Sequence, residues 1–285
     1  MNNIFVYCEV NEEGQVIDVS LELLSKGKKL ANQLGVKLEA VVIGNNIPDI
    51  GLQLFQYGVD VIHLAENERF LPYTTLPHAS IVVELFKEEK PEIALFGATS
   101  VGRDLAPRVA SALKCGLTAD CTSLEIGDHT ENRTQKEYKN LLYQIRPAFG
   151  GNIIATIINP DTRPQMATVR EGVMKKEIFS SSYTGEIKNI PYEKYVKEDD
   201  FLVEIIERHV EKQKINIKGA QIIISGGYGV GSKENFDKLV EQNRIWFGPR
   251  GDSMPRRKRF LTEVSDGIVP TTWWTKDQFG DNQAA

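Results

Sequence analysis

Residues 141–174, LLYQIRPAFGGNIIATIINPDTRPQMATVREGVM, decide how this chain is read. Two apolar runs, residues 152–159 and 165–169, flank a Pro-Asp turn, and RPAFGGN at residues 146–152 leads into them. Adjacent glycines at 150 and 151 permit positive φ angles and close backbone approach. Arg146, Arg163 and Arg170 border the apolar runs. The pattern predicts a cluster of strands with a basic rim. Two readings of that rim stand side by side. One is a β-ribbon with a tight glycine turn and solvated arginines; the other is a surface for a ligand or partner.

Upstream, apolar runs alternate with helical spacing. Residues 4–10 read as a first strand, and 11–14 as a turn. Residues 19–34 carry apolar side chains at 21, 23, 24, 30, 31 and 34 with lysines between, an amphipathic helix closed by Gly35. Strands follow at 37–43, 60–64 and 93–96, and helices at 48–57 and 76–89. Gly44, Gly58 and Pro91 punctuate them. This alternation predicts right-handed βαβ units and a parallel sheet. Residues 117–126 return to strand, 128–139 read as a polar turn region, and the opening stretch adds antiparallel strands. The expected fold class is α/β, a Rossmann-like parallel sheet with helices on both faces plus antiparallel strands. Residues 180–191 read as polar and turn-rich. Residues 201–212 have apolar positions at 201, 202, 205, 206 and 210 compatible with a helix. Residues 219–225, GAQIIIS, predict a strand ahead of a second α/β unit, and 234–241 a helix.

The chain has 285 residues, room for one large domain or two smaller ones. Its net charge of −5 gives no reason to expect nucleic acid as a partner. No apolar run is long enough for a transmembrane helix. The N-terminus, MNNIFVYCEV, enters a strand without a basic leader, so no signal peptide is expected. Three cysteines, Cys8, Cys115 and Cys121, without a CxxC, suit a reducing compartment, and the expected location is cytoplasmic. His63, His78, His129 and His209 show no metal-ligand spacing, so no metal site is expected.

Two turns carry chemistry. Residues 97–108, GATSVGRDLAPR, join a strand to a helix, where open α/β sheets bind ligands. A helix N-terminus there favours anions. The plain alternative is a helix start with Ser100 as cap and Arg103/Asp104 as a solvated pair. The second turn, Gly226-Gly227-Tyr228-Gly229-Val230-Gly231-Ser232, sits between predicted strand and helix, the setting in which glycines cradle a nucleotide.

RPAFGGNIIA followed by RPQMATVR resembles the signature in the first domain of electron transfer flavoprotein alpha subunits. GATSVGRDLAPRVA is similar to that family's segment at this position, and SGGYGVGSKENF resembles the start of its flavin domain. The resemblance covers residues 1–241. It implies an electron carrier: an alpha/beta heterodimer that passes electrons between acyl-CoA dehydrogenases or related donors and an acceptor, through FAD. It implies a first domain without a tightly bound nucleotide of its own. The residues carried over are Gly226, Gly227, Tyr228, Gly229 and Ser232 as a partial FAD site, with Tyr228 where the family often has arginine. Arg103, Arg108, Arg146, Phe149 and Arg170 are carried over as the docking surface for a beta subunit. No residue is assigned a catalytic role.

Residues 242–285 differ. They hold all three tryptophans, and seven Lys/Arg against five Asp/Glu. They resemble a fragment of adenine-specific DNA methyltransferases of the type III restriction–modification kind, through RIWFGPRGDSMPRRKRFLTEV and the GIVPTTWW that follows. The methyltransferase DPPY motif and cofactor loop are absent, so that activity is not expected. The run Arg256-Arg257-Lys258-Arg259 is a solvated segment or a phosphate contact. The resulting organisation is a first domain over 1–190, a linker and truncated start of an FAD-binding domain over 191–241, and a foreign piece over 242–285. That piece is expected to be loosely packed apart from a short helix near 257–264. With such a truncation, the other reading is a flavin-free fragment that docks the beta subunit, or a non-functional fusion. In that case the isolated chain would purify colourless and hold added FAD no tighter than millimolar.

Overall fold

In a computed structural model, the described residues are 2–148, 153–203, 205–207, 232–242, 244–246 and 256–257. The chain divides into two compact units, residues 1–208 and 209–285.

The first unit is built on strands that are apolar along their whole length. Strands β1 (Ile4–Cys8), β2 (Leu38–Gly44) and β4 (Ile93–Gly97) are buried at every position. Such runs suit parallel strands covered on both faces. Alternate residues of β1 feed two cores. Ile4, Val6 and Cys8 pack with Leu23, Leu24 and Leu30 of helix α1 (Asp18–Leu34). Phe5 and Tyr7 pack with Phe86 of α3 (Thr75–Glu89) and with Leu105 and Val109 of α4 (Ser100–Leu113). Helix α1 stops at Gly35, whose φ of 67° lets its N–H reach the Ala31 carbonyl. The short α2 (Ile50–Leu54) runs into a 3-10 turn that Gly58 closes at φ 84°. Strand β3 is Val61–Glu66.

With β5 (Leu117–Cys121), β9 (Gln165–Val169) and β10 (Glu186–Asn189), the main sheet has seven strands in the order β10-β3-β2-β1-β4-β9-β5, all parallel. A separate antiparallel sheet, β6-β7-β8, comprises β6 (Ser123–Thr130), β7 (Glu137–Pro147) and β8 (Ile154–Ile157). The expected class, a helix-flanked parallel sheet plus antiparallel strands, is the one found.

Four details depart from the sequence reading. Residues 117–126 are two strands, not one: β5 (Leu117–Cys121) ends in a bulge and β6 begins in the other sheet. The step is made at Asp120, whose φ is 60°, and at Thr122, whose N–H bonds the Ile145 carbonyl at 2.8 Å. The two runs of the opening stretch also separate. Strand β8 stays antiparallel, while β9 (Gln165–Val169) inserts between β4 and β5 as a parallel strand buried at all five positions. Residues 186–189, read as turn, form edge strand β10. Every one of its residues is exposed, so no apolar alternation marks it. Backbone bonds beside β3 hold it, such as Glu186 N–H to Asp60 and Ile190 N–H to Leu64. Residues 201–203 and 205–207 are not helical, and Phe201 instead lies under the Arg69 guanidinium, 3.5 Å from its ring centre.

In the second unit, helix α5 (Lys233–Glu241) forms where expected. Ile245–Trp246 (β11) pairs antiparallel with Arg256–Arg257 (β12). Arg257 is therefore in a strand and does not begin a helix. The strand expected at 219–225 lies outside the described residues.

Candidate functional site

Strand β1 has β2 on one side and β4 on the other, so chain direction across the sheet reverses between β1 and β4. In open α/β sheets the crevice at the carboxyl end of such a pair is where ligands settle. Here the protein fills it. Glu9, one residue past β1, is 8% exposed. Its Oε1 accepts from the Thr99 hydroxyl at 2.5 Å, and its N–H donates to Ser20 Oγ at 3.0 Å. Burial pushes the Glu9 carboxyl up to about 7, the Thr99 bond opposing and the nearby Glu171 adding to the rise. Thr99 Oγ1 also accepts the Gly102 N–H at 2.9 Å. Thr99 is thus the cap of α4, in place of Ser100, because its extended backbone turns its hydroxyl back onto the first helical turn. Gly102 is required there: a Cβ would fall on the Gly97 carbonyl oxygen.

Beside the crevice lies a basic cluster. From the first turns of α4, Arg103 places Nη2 3.1 Å from Asp120 Oδ1. The contact is off the direction of a hydrogen bond, and that oxygen is buried without a hydrogen-bond partner among the described residues. The Asp120 N–H is tied to Thr168 Oγ1 at 2.9 Å. Arg170, just after β9, donates its backbone N–H to Cys121 O at 3.0 Å. Arg146, at the end of β7, acts on Cys121 from the other sheet. Burial raises that thiol to about 11, and the Arg146 charge works against the rise. Arg103 thus faces Asp120, while the Arg146 charge and the Arg170 backbone bear on the neighbouring Cys121. Arg103 is more than half exposed, Arg170 exposed and Arg146 half-buried.

Arg108 is placed elsewhere. It pairs with Asp104 at 3.5 Å, and Asp104 also accepts from Tyr73 OH at 2.9 Å and Thr75 Oγ1 at 2.5 Å. These bonds fix α4 to the start of α3, and Arg108 lines a cleft with Glu84 and Tyr195. Asp104 is thus held by its neighbours and is not a solvated partner of Arg103. Phe149 lies outside the described residues, as do Gly226, Gly227, Tyr228 and Gly229. Ser232 caps α5, its hydroxyl accepting from the Asn235 N–H at 3.3 Å.

Sequence reasoning missed Glu9, Thr99 and Asp120. For Glu9 there was a usable signal, a carboxylate directly after a fully apolar strand. Asp120 gave none, since its importance comes from a left-handed backbone at a bulge. No group of three or more His, Cys, Asp or Glu among the described residues could hold a metal ion, and no helix there is long and apolar enough to cross a membrane.

Comparison with known proteins places this architecture. Residues 4–194 match the model of the electron transfer flavoprotein domain. The chain is 40% identical over 252 residues to an electron transfer flavoprotein subunit alpha of Thermoanaerobacterium thermosaccharolyticum, covering 88% of this chain and 72% of that one. It is 42% identical over 239 residues to the subunit alpha of Clostridium acetobutylicum, covering 84% and 68%. It is also 37% identical over 242 residues to an acryloyl-CoA reductase electron transfer subunit beta of Anaerotignum propionicum, covering 80% and 66%. The family match over residues 4–194, together with 40–42% identity to alpha subunits over most of the chain, identifies it as a member of the electron transfer flavoprotein family, similar to its alpha subunits.

Proposed function

We propose that this chain is the alpha half of an alpha/beta heterodimer that carries electrons between a dehydrogenase and an acceptor through FAD. The observation that carries the docking half of this reading is the placement of Arg103, Arg146 and Arg170 around the corner formed by Asp120 and Cys121, where Arg103 meets the Asp120 carboxylate. The exposed Arg103 and Arg170 and the half-buried Arg146 offer positive charge and N–H donors at this corner. Arginine presents its donors in a rigid fork, which suits carboxylates and carbonyls of a partner protein. The Asp120 oxygen, 3.1 Å from Nη2, draws the Arg103 guanidinium to this corner. In this reading residues 1–190 form the docking domain, Phe149 is one of its contact residues, and Arg108 lies at its margin.

For the cofactor, Gly226, Gly227, Tyr228, Gly229 and Ser232 would hold FAD. Ser232 stands at the N-terminus of α5, where its hydroxyl takes the Asn235 N–H; the Glu234 carboxylate bonds Ser232 and its own N–H there, and a phosphate would have to displace it. When bound, the flavin supplies the redox chemistry, and the chain contributes binding and orientation. The acryloyl-CoA reductase relative supports a donor or acceptor that handles CoA thioesters, as an acyl-CoA dehydrogenase does.

Co-expression with a family beta subunit followed by size-exclusion chromatography tests the docking surface. The two chains should elute together, and Arg103→Glu with Arg170→Glu should separate them. Independent elution of the unaltered chains would overturn the proposal. Visible absorbance of the isolated complex reports the flavin.

A further inference from the structure

Helix α1 carries Lys26 and Lys29 three residues apart, on one side of the helix. Facing them are Thr122 and Ser123, at the step from β5 to β6, and residues 173–175 after β9. These three segments border a cleft of about 180 Å³. Lys26, Lys29 and Lys175 line it with the two hydroxyls, and Val173 and Met174 form an apolar wall. Three ammonium groups meet here in a chain whose net charge is −5.

Three acids stand around them: Glu177 serves Lys29 and also attracts Lys175, Glu125 attracts Lys26, and Glu22 on α1 is taken up by the backbone N–H groups of Gly172 and Met174. Lys29 is held by Glu177 at 2.5 Å. Neither Lys26 nor Lys175 forms an ion pair among the described residues. Glu125 lies near enough to Lys26 to favour its charge, without contact. Burial nevertheless lowers the Lys26 pKa, and the Lys29 charge lowers it further. A half-buried ammonium beside a second ammonium is strained in the direction that an anion relieves.

We propose that this cleft binds the phosphate group of a small, soluble organic phosphate. A phosphoryl dianion offers three oxygens to ammonium and hydroxyl donors, whereas a carboxylate brings one charge and two oxygens. The cleft is also larger than a single anion needs, since about 10–15 Å³ of such space holds a water molecule. Val173, 40% exposed, leaves an apolar surface against which the organic part of the ligand can lie. The cleft shares no lining residue with the arginine cluster, although Thr122 directly follows Cys121.

Calorimetric titration of the purified chain with inorganic pyrophosphate at pH 7, in physiological salt to screen non-specific attraction, tests the site. Saturable one-to-one binding with a sub-millimolar Kd is expected. Lys26→Gln should weaken it by about tenfold or more, as loss of a charge-assisted bond does. Lys175→Gln, on an exposed segment, should do the same with an unchanged thermal melt, which covers the case in which the Lys26 variant misfolds. Lys37→Gln, an exposed lysine before β2, should leave the Kd unchanged. Absence of saturable binding, or equal weakening by Lys37→Gln, would overturn the proposal. Binding only to vesicles rich in phosphatidic acid, with none to pyrophosphate, would overturn it too, since the ligand would then be a lipid headgroup.

Discussion

Replacing Glu9 with Gln tests whether the switch-point crevice holds a strained acid. The amide keeps an oxygen that can accept from Thr99 and removes only the titrating charge. Glu9 has an ordinary carboxyl value of 4.5 and is pushed to about 7 in the fold, chiefly by burial. The folded state therefore binds this proton more tightly than the unfolded chain does. Below pH 4.5 the group is neutral in both states and costs nothing. As pH rises from 4.5 towards 7 the unfolded chain releases the proton while the fold retains it, and stability falls. Above 7 the full penalty is in place, about 3 kcal/mol at roughly 1.4 kcal/mol per tenfold. Between pH 5 and pH 8 the wild-type chain should thus lose about 2–3 kcal/mol relative to Glu9→Gln. Urea unfolding of both proteins at pH 5, 6, 7 and 8 reads this directly. Glu22, which burial also raises, and Glu171 are present in both chains, so the difference isolates Glu9. A difference that stays flat from pH 5 to pH 8 would refute the reasoning and leave the carboxylate ionised and satisfied in the crevice.

Asp120→Gly should relieve the left-handed backbone at φ 60° and leave thermal stability unchanged or higher, yet weaken beta-subunit binding by freeing Arg103. Asp120→Asn, which tolerates the same backbone, should weaken binding equally, and retained affinity in both variants would remove Asp120 from the docking surface. Lys28 bonds Asp60 at 3.3 Å and lies about 5 Å from the centres of the Phe179 and Tyr183 rings. Lys28→Ala should cost about 1–3 kcal/mol in urea unfolding and expose residues 178–185 to proteolysis; unchanged cleavage would show that the segment is held by other contacts. Ser232→Ala removes the α5 cap, worth about 1 kcal/mol, and flavin absorbance after dialysis of the heterodimer should fall; equal retention would exclude Ser232 from the flavin site.

Much of the fold was legible because its central strands leave no choice. LEAVVIG and IALFG are apolar on both faces, and only a parallel sheet covered by helices buries them throughout. What stayed hidden were features decided by backbone partners. The strand EIKN has four exposed side chains, and the main-chain groups beside β3 alone make it a strand. QMATV has a strong strand composition, but composition does not say which sheet it joins. Five buried positions and two parallel neighbours give the answer. The division of residues 117–126 depends on a bulge at Asp120, a non-glycine residue in a backbone region that its type marks only weakly.

The arginines of the site were legible as a rim, but their grouping was not. Arg103 and Arg108 lie five positions apart on one helix, and five residues of α-helix rotate a side chain to the opposite flank. Arg103 faces β5 and its bulge, while Arg108 joins Asp104, Tyr73 and Thr75 above α3. Glu9 explains a different property of the same face. The crevice that in related architectures receives a ligand is lined here by Gly97 and Gly102, and the Glu9 carboxyl, held by Thr99, occupies the space beside them. The acid lies within van der Waals reach of where both Cβ atoms would stand. An incoming phosphate would meet that carboxyl, repelled by it when charged and excluded by its bulk when neutral. The carboxyl end of the sheet is therefore closed at its centre, and the surface left for recognition is its arginine-bearing rim.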